Sequence, residues 1–481
     1  MKTLSRMLRI GLLAAALMTG LASRVQAAEV SIDITACHDI HGGDLWSQAL
    51  DGRETQVLLA PDENAVYWLV TLPVLPADVY GSAHLEIRGD FPDARFLSYT
   101  SYNNMGVPID QRDDFAIVAD PGSVNPNSAG IAYPHDGTPV GYTLRLIDAP
   151  VAQQVHTPGD NVLFGGWLPA TGELLDKQQV AFRLYLPTDP GSQTGGVAMP
   201  RFYYVYDTDA LTAQTPTSYE DICALVPDDY EILGQDPAFL EPLEEFTDTS
   251  APVIYDAPRV DVPGFYPKSP PEWFVGASLA QIIDQGFPIL PDDQIPGDGE
   301  EGFYLNYSTK YIGTFLDPDR RYTDLAVVRI KAPRTPATEE GEAVDPVNDQ
   351  VRYWSVCVHQ MSNINYLWGC AYDGQFKPDP GSTDQITIVF SNESDRPAGL
   401  CSPLENGKPT GSCQYNWMPY ASSTPLILMR QLTPNPDFAQ AALFYEGDPN
   451  DSDAMAAHMG AYFPRSTYCS NLAWYRHRCT R

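Results

Sequence analysis

Two stretches of the chain carry the same arrangement of apolar, aromatic and hydroxylic positions: Ala94-Arg-Phe-Leu-Ser-Tyr-Thr-Ser-Tyr102 and Val351-Arg-Tyr-Trp-Ser-Val-Cys-Val-His359. Aromatic and β-branched runs of this length predict β-strands. Each is followed by the same landmarks in the same order. An Asp-Pro-Gly-Ser turn (120–123 and 379–382) leads to an apolar strand (142–146 and 386–390). A Trp-Leu-Pro or Trp-Met-Pro corner (167–169 and 417–419) and a last strand (180–185 and 426–430) come next. The shared order predicts an internal duplication.

Further strands are expected at 31–35, 65–70, 84–88, 115–118 and 201–206, and again at 303–307 and 326–330, between Pro, Gly, Asn and Asp turns. Short strands at such spacing predict sandwiches. Helical patterning is confined to four pieces. These are 218–225, opened by a capping Ser218; 273–285, with Trp273, Phe274, Leu279, Ile282 and Ile283 at helical intervals; 438–444; and about 453–459. The expected fold is mainly β, with two tandem β-sandwich units. The boundaries are a signal peptide at 1–27, a lead-in at 28–60, sandwiches at 61–207 and 302–435, a Pro- and acid-rich, partly helical connector at 208–301, and a C-terminal tail at 436–481.

The N-terminus changes the setting. Lys2, Arg6 and Arg9 precede the apolar run 10–21, and Val25-Gln-Ala27 forms a cleavage-site pattern. Export to the periplasm or beyond is expected, with no transmembrane anchor, because no stretch reaches the roughly 20 apolar residues a span needs. Lys2, Arg6, Arg9 and Arg24 are the only charged residues of the leader, so its removal moves the net charge from −33 to −37. Such a polyanion excludes nucleic acid as a partner. It leaves calcium as the one cofactor worth testing, on acidic loops such as 291–301, although these lack the EF-hand order. The oligomeric state is open.

All eight cysteines lie in the exported part, where disulfides are the default. Cys357 and Cys370 are placed symmetrically about a turn and should face each other across a hairpin. Cys401 with Cys413 would close a loop, Cys469 with Cys479 would staple the C-terminus, and Cys37 with Cys223 would remain. Zinc is the alternative for these thiols, but no Cys-x-x-Cys is present.

Alternation along the two opening strands sorts their side chains. Leu97, Tyr99, Trp354, Val356 and Val358 are expected in the cores. The opposite faces, Phe96, Ser98, Thr100 and Tyr102 with Tyr353, Ser355, Cys357 and His359, are aromatic and hydroxylic. They are candidates to line a groove for a glycan or another small polar-aromatic ligand. Arg95 and Arg352 hold the same place in each repeat. They would clamp a ligand carboxylate or be held by a local acid, Asp120 or Asp379. Trp167 and Trp417 are expected in the core. His38, His41 and Asp44 read as a lead-in loop rather than a metal site. Catalytic constellations are weak: Ser355 and His359 are about 13 Å apart along one strand, too far for a nucleophile–base pair. Gly276-Ala-Ser-Leu-Ala280 lacks the second glycine of a nucleophile elbow.

Gly166-Trp-Leu-Pro-Ala170, followed by Phe182-Arg-Leu-Tyr-Leu-Pro187, resembles the end of a β domain found in exported bacterial proteins of unknown function. That family's domain closes on Asn-Trp-Leu-Pro and Arg-x-Tyr-x-Pro. The second repeat keeps Asn416-Trp-Met-Pro419 but lacks the Arg-x-Tyr-x-Pro, and the first has Gly166 in place of the Asn. The resemblance covers the C-terminal half of each repeat. It implies a jelly-roll-like sandwich and no established activity. The expected function is a non-enzymatic binding or surface-structural module. The alternative is a carbohydrate- or ester-active hydrolase with a site between the units.

Overall fold

A computed structural model describes residues 29–37, 45–47, 49–51, 62–75, 79, 81–104, 106–227, 269–275, 306–316, 323–360, 366–404, 413–419 and 425–480. The signal peptide, His38, His41, Asp44, the acidic loop 291–301 and residues 276–285 of the expected connector helix lie outside them. The described chain is mainly β, in four sheets that are antiparallel except for two strand pairs. All four expected cysteine pairings are present. No helix among the described residues is long and apolar enough to cross a membrane.

The N-terminal half holds ten strands: β1 (Glu29–Asp33), β2 (Leu50–Asp51), β3 (Ala65–Pro73), β4 (Ala83–Asp90), β5 (Ala94–Tyr102), β6 (Pro108–Asp113), β7 (Gly141–Asp148), β8 (Val162–Gly165), β9 (Lys177–Pro187) and β10 (Arg201–Asp207). They form an outer sheet in the order β1-β10-β4-β7-β8 and an inner sheet in the order β2-β3-β9-β5-β6. Leu85, Ile87, Leu144 and Phe202 of the outer sheet meet Trp68, Val70, Leu97, Tyr99 and Phe182 of the inner one in a single core. The lead-in belongs to this half, since β1 pairs with β10 and Trp46 packs on Phe202.

The C-terminal half holds β11 (Phe274–Val275), β12 (Thr309–Phe315), β13 (Leu325–Lys331), β14 (Val351–Gln360), β15 (Tyr366–Tyr372), β16 (Gln385–Ser391), β17 (Asn416–Pro419), β18 (Pro425–Pro434) and β19 (Arg465–Cys469). Its inner sheet runs β11-β12-β18-β14-β15 and its outer sheet β17-β16-β13-β19. Ile312, Trp354, Val356 and Met429 meet Val328, Ile330, Ile388 and Met418 in the second core. The tail is not separate. Strand β19 joins β13, and Met455 and Met459 of the helix Ser452–Met459 enter this core.

Strand order and register repeat from half to half. Ala65 pairs with Tyr185 as Thr309 pairs with Leu432, and Phe96 pairs with Tyr185 as Tyr353 pairs with Leu432. The strands β7–β8 and β16–β17 are the two parallel pairs. The Asp-Pro-Gly-Ser turns are equivalent. Each closes with a Ser N–H donating to the Asp carbonyl, has its glycine at positive φ, and places its Asp carboxylate on a strand threonine, Thr143 or Thr387.

Several sequence expectations are corrected. The Trp-Pro corners are not equivalent, because Trp417 lies inside a strand whereas Trp167 follows one. The equivalent residues are Asn161 and Asn416. Each side chain accepts from a backbone N–H (Val118 or Lys377) and donates to the carbonyls of that residue and of the strand threonine. Residues 115–118 do not form a strand. Asp114–Ala116 is a 3₁₀ turn, because the Asp114 carboxylate turns back to the Leu97 N–H. Of the expected strand 303–307 only Asn306 and Tyr307 are described, and with Ser308 they form the turn that leads into the strand Thr309–Phe315. The described start of the expected connector helix is a strand. Trp273 and Val275 enter the second core while Phe274 stacks on Phe315, a period of two that strand pairing satisfies. Of the expected helix 438–444 only a 3₁₀ turn, Ala442–Phe444, forms.

Candidate functional site

The candidate groove faces meet. The inner sheets of the two halves pack on one another. Phe96, Tyr185, Leu186 and Ala65 from one sheet and Tyr353 and Leu432 from the other form a cluster of their own. The rings of Tyr185 and Tyr353 are 5.3 Å apart, edge to face. Phe96, Ser98 and Tyr102, and opposite them Tyr353, Ser355 and His359, are at most 1 % exposed. Alternation correctly sorted these side chains away from the two cores. It could not tell that their groove is filled by the facing half.

Arg95 and Arg352 are held by acids, but not by Asp120 or Asp379, which are engaged by Thr143 and Thr387. The acids come from the opposite half. Arg95 donates through Nη1 to Asp373 at 2.7 Å and through Nη2 to Glu339 at 2.5 Å. Arg352 reaches Asp114 at 3.3 Å and the Arg95 carbonyl at 3.0 Å. Asp114 and Asp373 each open the 3₁₀ turn that follows the edge strand of their inner sheet. The exchange is therefore reciprocal, as in a two-fold interface. Burial opposes a charged guanidinium, but Asp373 and Glu339 outweigh it and hold the Arg95 pKa above its ordinary value.

A second buried centre surrounds Asp62. Its Oδ2 lies 2.7 Å from Arg430 Nη1 and accepts hydrogen bonds of 2.7 Å from both the Tyr353 and Ser355 hydroxyls. Its Oδ1 accepts from the Asn64 N–H at 3.0 Å. Burial raises the pKa of this carboxyl, yet Arg430 and the hydrogen bonds hold it below the ordinary value. Arg430 Nη1 also lies 3.0 Å from the sulfur of Cys357, whose disulfide to Cys370 spans β14 and β15. Asp62, Cys357 and Cys370 have metal-ligand spacing. The arrangement does not suit a metal: the cysteines are bonded to each other, and the cation beside all three is Arg430.

Register identifies what stands in the other half. Asn306 replaces Asp62, Arg183 replaces Arg430, and the pair Thr100–Gln111 replaces Cys357–Cys370. Arg183 turns to its own strand neighbours, donating to the hydroxyls of Thr100 and Tyr102. Gln111 donates to Asn306, Ser308 and Asp113. Burial and the neighbouring Asp114 raise Asp113 to about 6, against hydrogen bonds from Ser308 and Gln111 and the charge of Arg352. His359 is buried, and among the described residues neither of its ring nitrogens has a hydrogen-bond partner. Burial and the charge of Arg430 depress its pKa to about 3, against the opposing charge of Asp62.

A cleft of about 230 Å³ opens at the rim of this seam. Glu63, Leu186 and Pro187 come from the N-terminal half, and Glu339, Tyr372 and Gln375 from the C-terminal half. Glu63 accepts a hydrogen bond from the Cys370 N–H at 2.9 Å, which fixes this wall to the disulfide. Sequence reasoning missed Asp62, Glu63, Asp114, Glu339, Tyr372, Asp373 and Arg430. One signal was present: Arg430 and Arg183 each interrupt an otherwise apolar strand, and a buried guanidinium requires an acid or hydroxyl partner.

No family model and no curated protein matches the chain. Among solved structures it is similar to an uncharacterised protein from Burkholderia cenocepacia, at 10 % identity and a TM-score of 0.37, covering 88 % of this chain and 83 % of that one. It is also similar to the VPA0106 protein from Vibrio parahaemolyticus, at 12 % identity and a TM-score of 0.35, covering 81 % and 88 % respectively.

Proposed function

We propose that the chain is an exported, non-catalytic binding module. In this reading it is a duplicated pair of jelly-roll-like β-sandwiches whose inner sheets are fused into one rigid body. It holds a small polar ligand, such as one sugar ring of a glycan, in the seam cleft. The observation that carries the reading is the cleft itself, whose walls come from both halves and combine an apolar floor with an aromatic ring and a few polar groups. Its volume is below the roughly 300–1,000 Å³ of sites for drug-sized ligands, so the occupant is small. The reciprocal Arg exchange supports a fixed geometry behind the cleft. The leader sequence and the four disulfides support export.

A glycoside hydrolase of the two-carboxylate type would place a general-acid carboxyl with a raised pKa at the cleft. Among the described residues the carboxyls raised to about 6 are Asp113, half-buried, and Asp148, buried, and neither lines it. Binding without turnover is therefore the better-supported reading. The test is a glycan-array and small-molecule thermal-shift screen of the mature protein beside a Gln193→Trp variant, which plugs the cleft from its exposed rim. Binding by the wild type alone, with the ligand recovered unchanged, is expected. Hydrolysis of the bound molecule, or equal binding by the plugged variant, would contradict the reading.

A further inference from the structure

We infer that the outer face of the C-terminal half carries a second binding site, a rigid arginine surface that takes an acidic polysaccharide by its carboxylates. It is separate from the seam cleft and does not rest on it.

Residues 454–481 hold four arginines and no aspartate or glutamate, in a chain whose net charge is −33. The fold gathers three of them beside a fourth, Arg329. Arg465 of β19 stands directly opposite Arg329 of β13, an arrangement in which like charges repel. The Arg329 guanidinium donates to the carbonyl of Arg478, at the end of the helix Asn471–His477. Trp474 of that helix is buried with Leu325, Val327 and Trp417, and the Cys469–Cys479 disulfide ties the helix end to β19. The arginines are thus held in place. None of Arg329, Arg465, Arg476 and Arg478 forms an ion pair among the described residues. The acids at the margin are engaged: Asp379 by Thr387, Asp324 by the Asn471 N–H and Glu393 by Arg396. Burial pushes the Arg329 pKa below its ordinary value, against the charges of Asp379 and Tyr415. The acid-paired Arg95 and Arg430 are held above theirs.

A guanidinium fork matches a carboxylate. Leu472 and Tyr475, 58 % and 54 % exposed, share the outward side of the helix with Arg476. The Tyr475 hydroxyl accepts from the Ala398 N–H at 2.8 Å, which fixes the ring as a stacking surface for a sugar. Charge complementarity favours a single sugar chain over a bilayer. A planar anionic surface would also face the acidic body, whereas one chain can lie along this surface, with charges more than about 8 Å away screened at physiological salt. Its carboxylates, one per sugar, are sparser than the phosphates of a nucleic acid, so the body repels it less.

The test uses the mature full-length protein and two oligosaccharides of one backbone, oligogalacturonate and its neutral methyl ester, titrated by calorimetry at pH 7. The acid should bind about tenfold more tightly than the ester, and added salt should weaken it. Arg465→Gln and Arg476→Gln alter exposed side chains that make no hydrogen bond among the described residues. Each should lower the affinity about fivefold, and together they should erase the difference between acid and ester while the unfolding midpoint stays that of the wild type. Arg201→Gln, on the other half, and Gln193→Trp, at the cleft, should both bind as the wild type does. No binding of oligogalacturonate, equal affinity for acid and ester, unaltered affinity in the double variant or loss of binding in Gln193→Trp would overturn the inference. Tighter binding to anionic phospholipid vesicles or to single-stranded DNA would overturn the choice of partner.

Discussion

Arg95 of the N-terminal half is neutralised by Asp373 of the C-terminal half at 2.7 Å, and the residue in Arg95's place in that half, Arg352, is neutralised by Asp114 of the first at 3.3 Å. Each sheet therefore presents a buried cation that only the other can satisfy. Breaking such a pair by removing one partner leaves an unpaired buried charge, which costs about 3–5 kcal/mol. The seam is in this sense obligatory: either half alone would expose its cluster of Phe96, Tyr185 and Tyr353 and leave its arginines to water.

Asp62→Asn makes the first half resemble the second, where Asn306 stands. It removes the carboxylate paired with Arg430, and no Thr100–Tyr102 pair flanks that arginine as one flanks Arg183. A loss of about 3–5 kcal/mol is expected in urea unfolding at pH 7. A change below about 1 kcal/mol would show that Arg430 finds another partner.

Asp113 has a folded pKa of about 6, above its unfolded value. Its contribution to stability is fully present below the unfolded pKa, near 4, and is lost as pH rises through 6. Asp113→Asn stays neutral and can keep contacts with Ser308 and Gln111. Relative to wild type the variant should gain stability between pH 4 and pH 8, by on the order of 2–3 kcal/mol in total. Parallel stability curves for the two proteins would rule out a raised Asp113.

His359 has the opposite sign. Its folded pKa of about 3 lies below the unfolded value, so stability is lost as pH falls from about 6.5 toward 3. Among the described residues its ring nitrogens have no partner to lose. His359→Leu should therefore stabilise at pH 8 by about 1–3 kcal/mol, and at pH 5 by about 2 kcal/mol more. Equal effects at both pH values would mean that the ring is protonated or solvated in the folded state.

The Cys357–Cys370 disulfide occupies the place of the Thr100–Gln111 hydrogen bond. Replacing both cysteines by alanine should cost about 3 kcal/mol through the short loop they close. Replacing them with Thr at 357 and Gln at 370 should recover part of that loss. Equal stability of the two double variants would show that the polar pair has no value in this half.

The mainly β character, most of the strands, the cysteine pairs and the two faces of β5 and β14 were legible because they depend on local period and spacing. Period two places Ser98 and Ser355 away from the cores but is silent on what lies beyond them. The partners of Arg95 and Arg352 were misread for that reason. Asp120 and Asp379 are near in sequence, whereas Asp373 is brought to Arg95 only by the docking of the halves. The Trp-Pro landmark misled because a large aromatic is conspicuous, although the repeated device is the smaller Asn161 and Asn416 clamp. The cleft combines residues 63, 186 and 187 with 339, 372 and 375, a juxtaposition no local pattern encodes.

The central claim, that the halves form one body through the seam, is tested most directly by calorimetric unfolding of the mature protein beside the double variant Arg95→Met and Arg352→Met. The wild type should unfold in one transition whose calorimetric and van 't Hoff enthalpies agree, and the variant should split into two. Two transitions in the wild type, or an unaltered single transition in the variant, would contradict it.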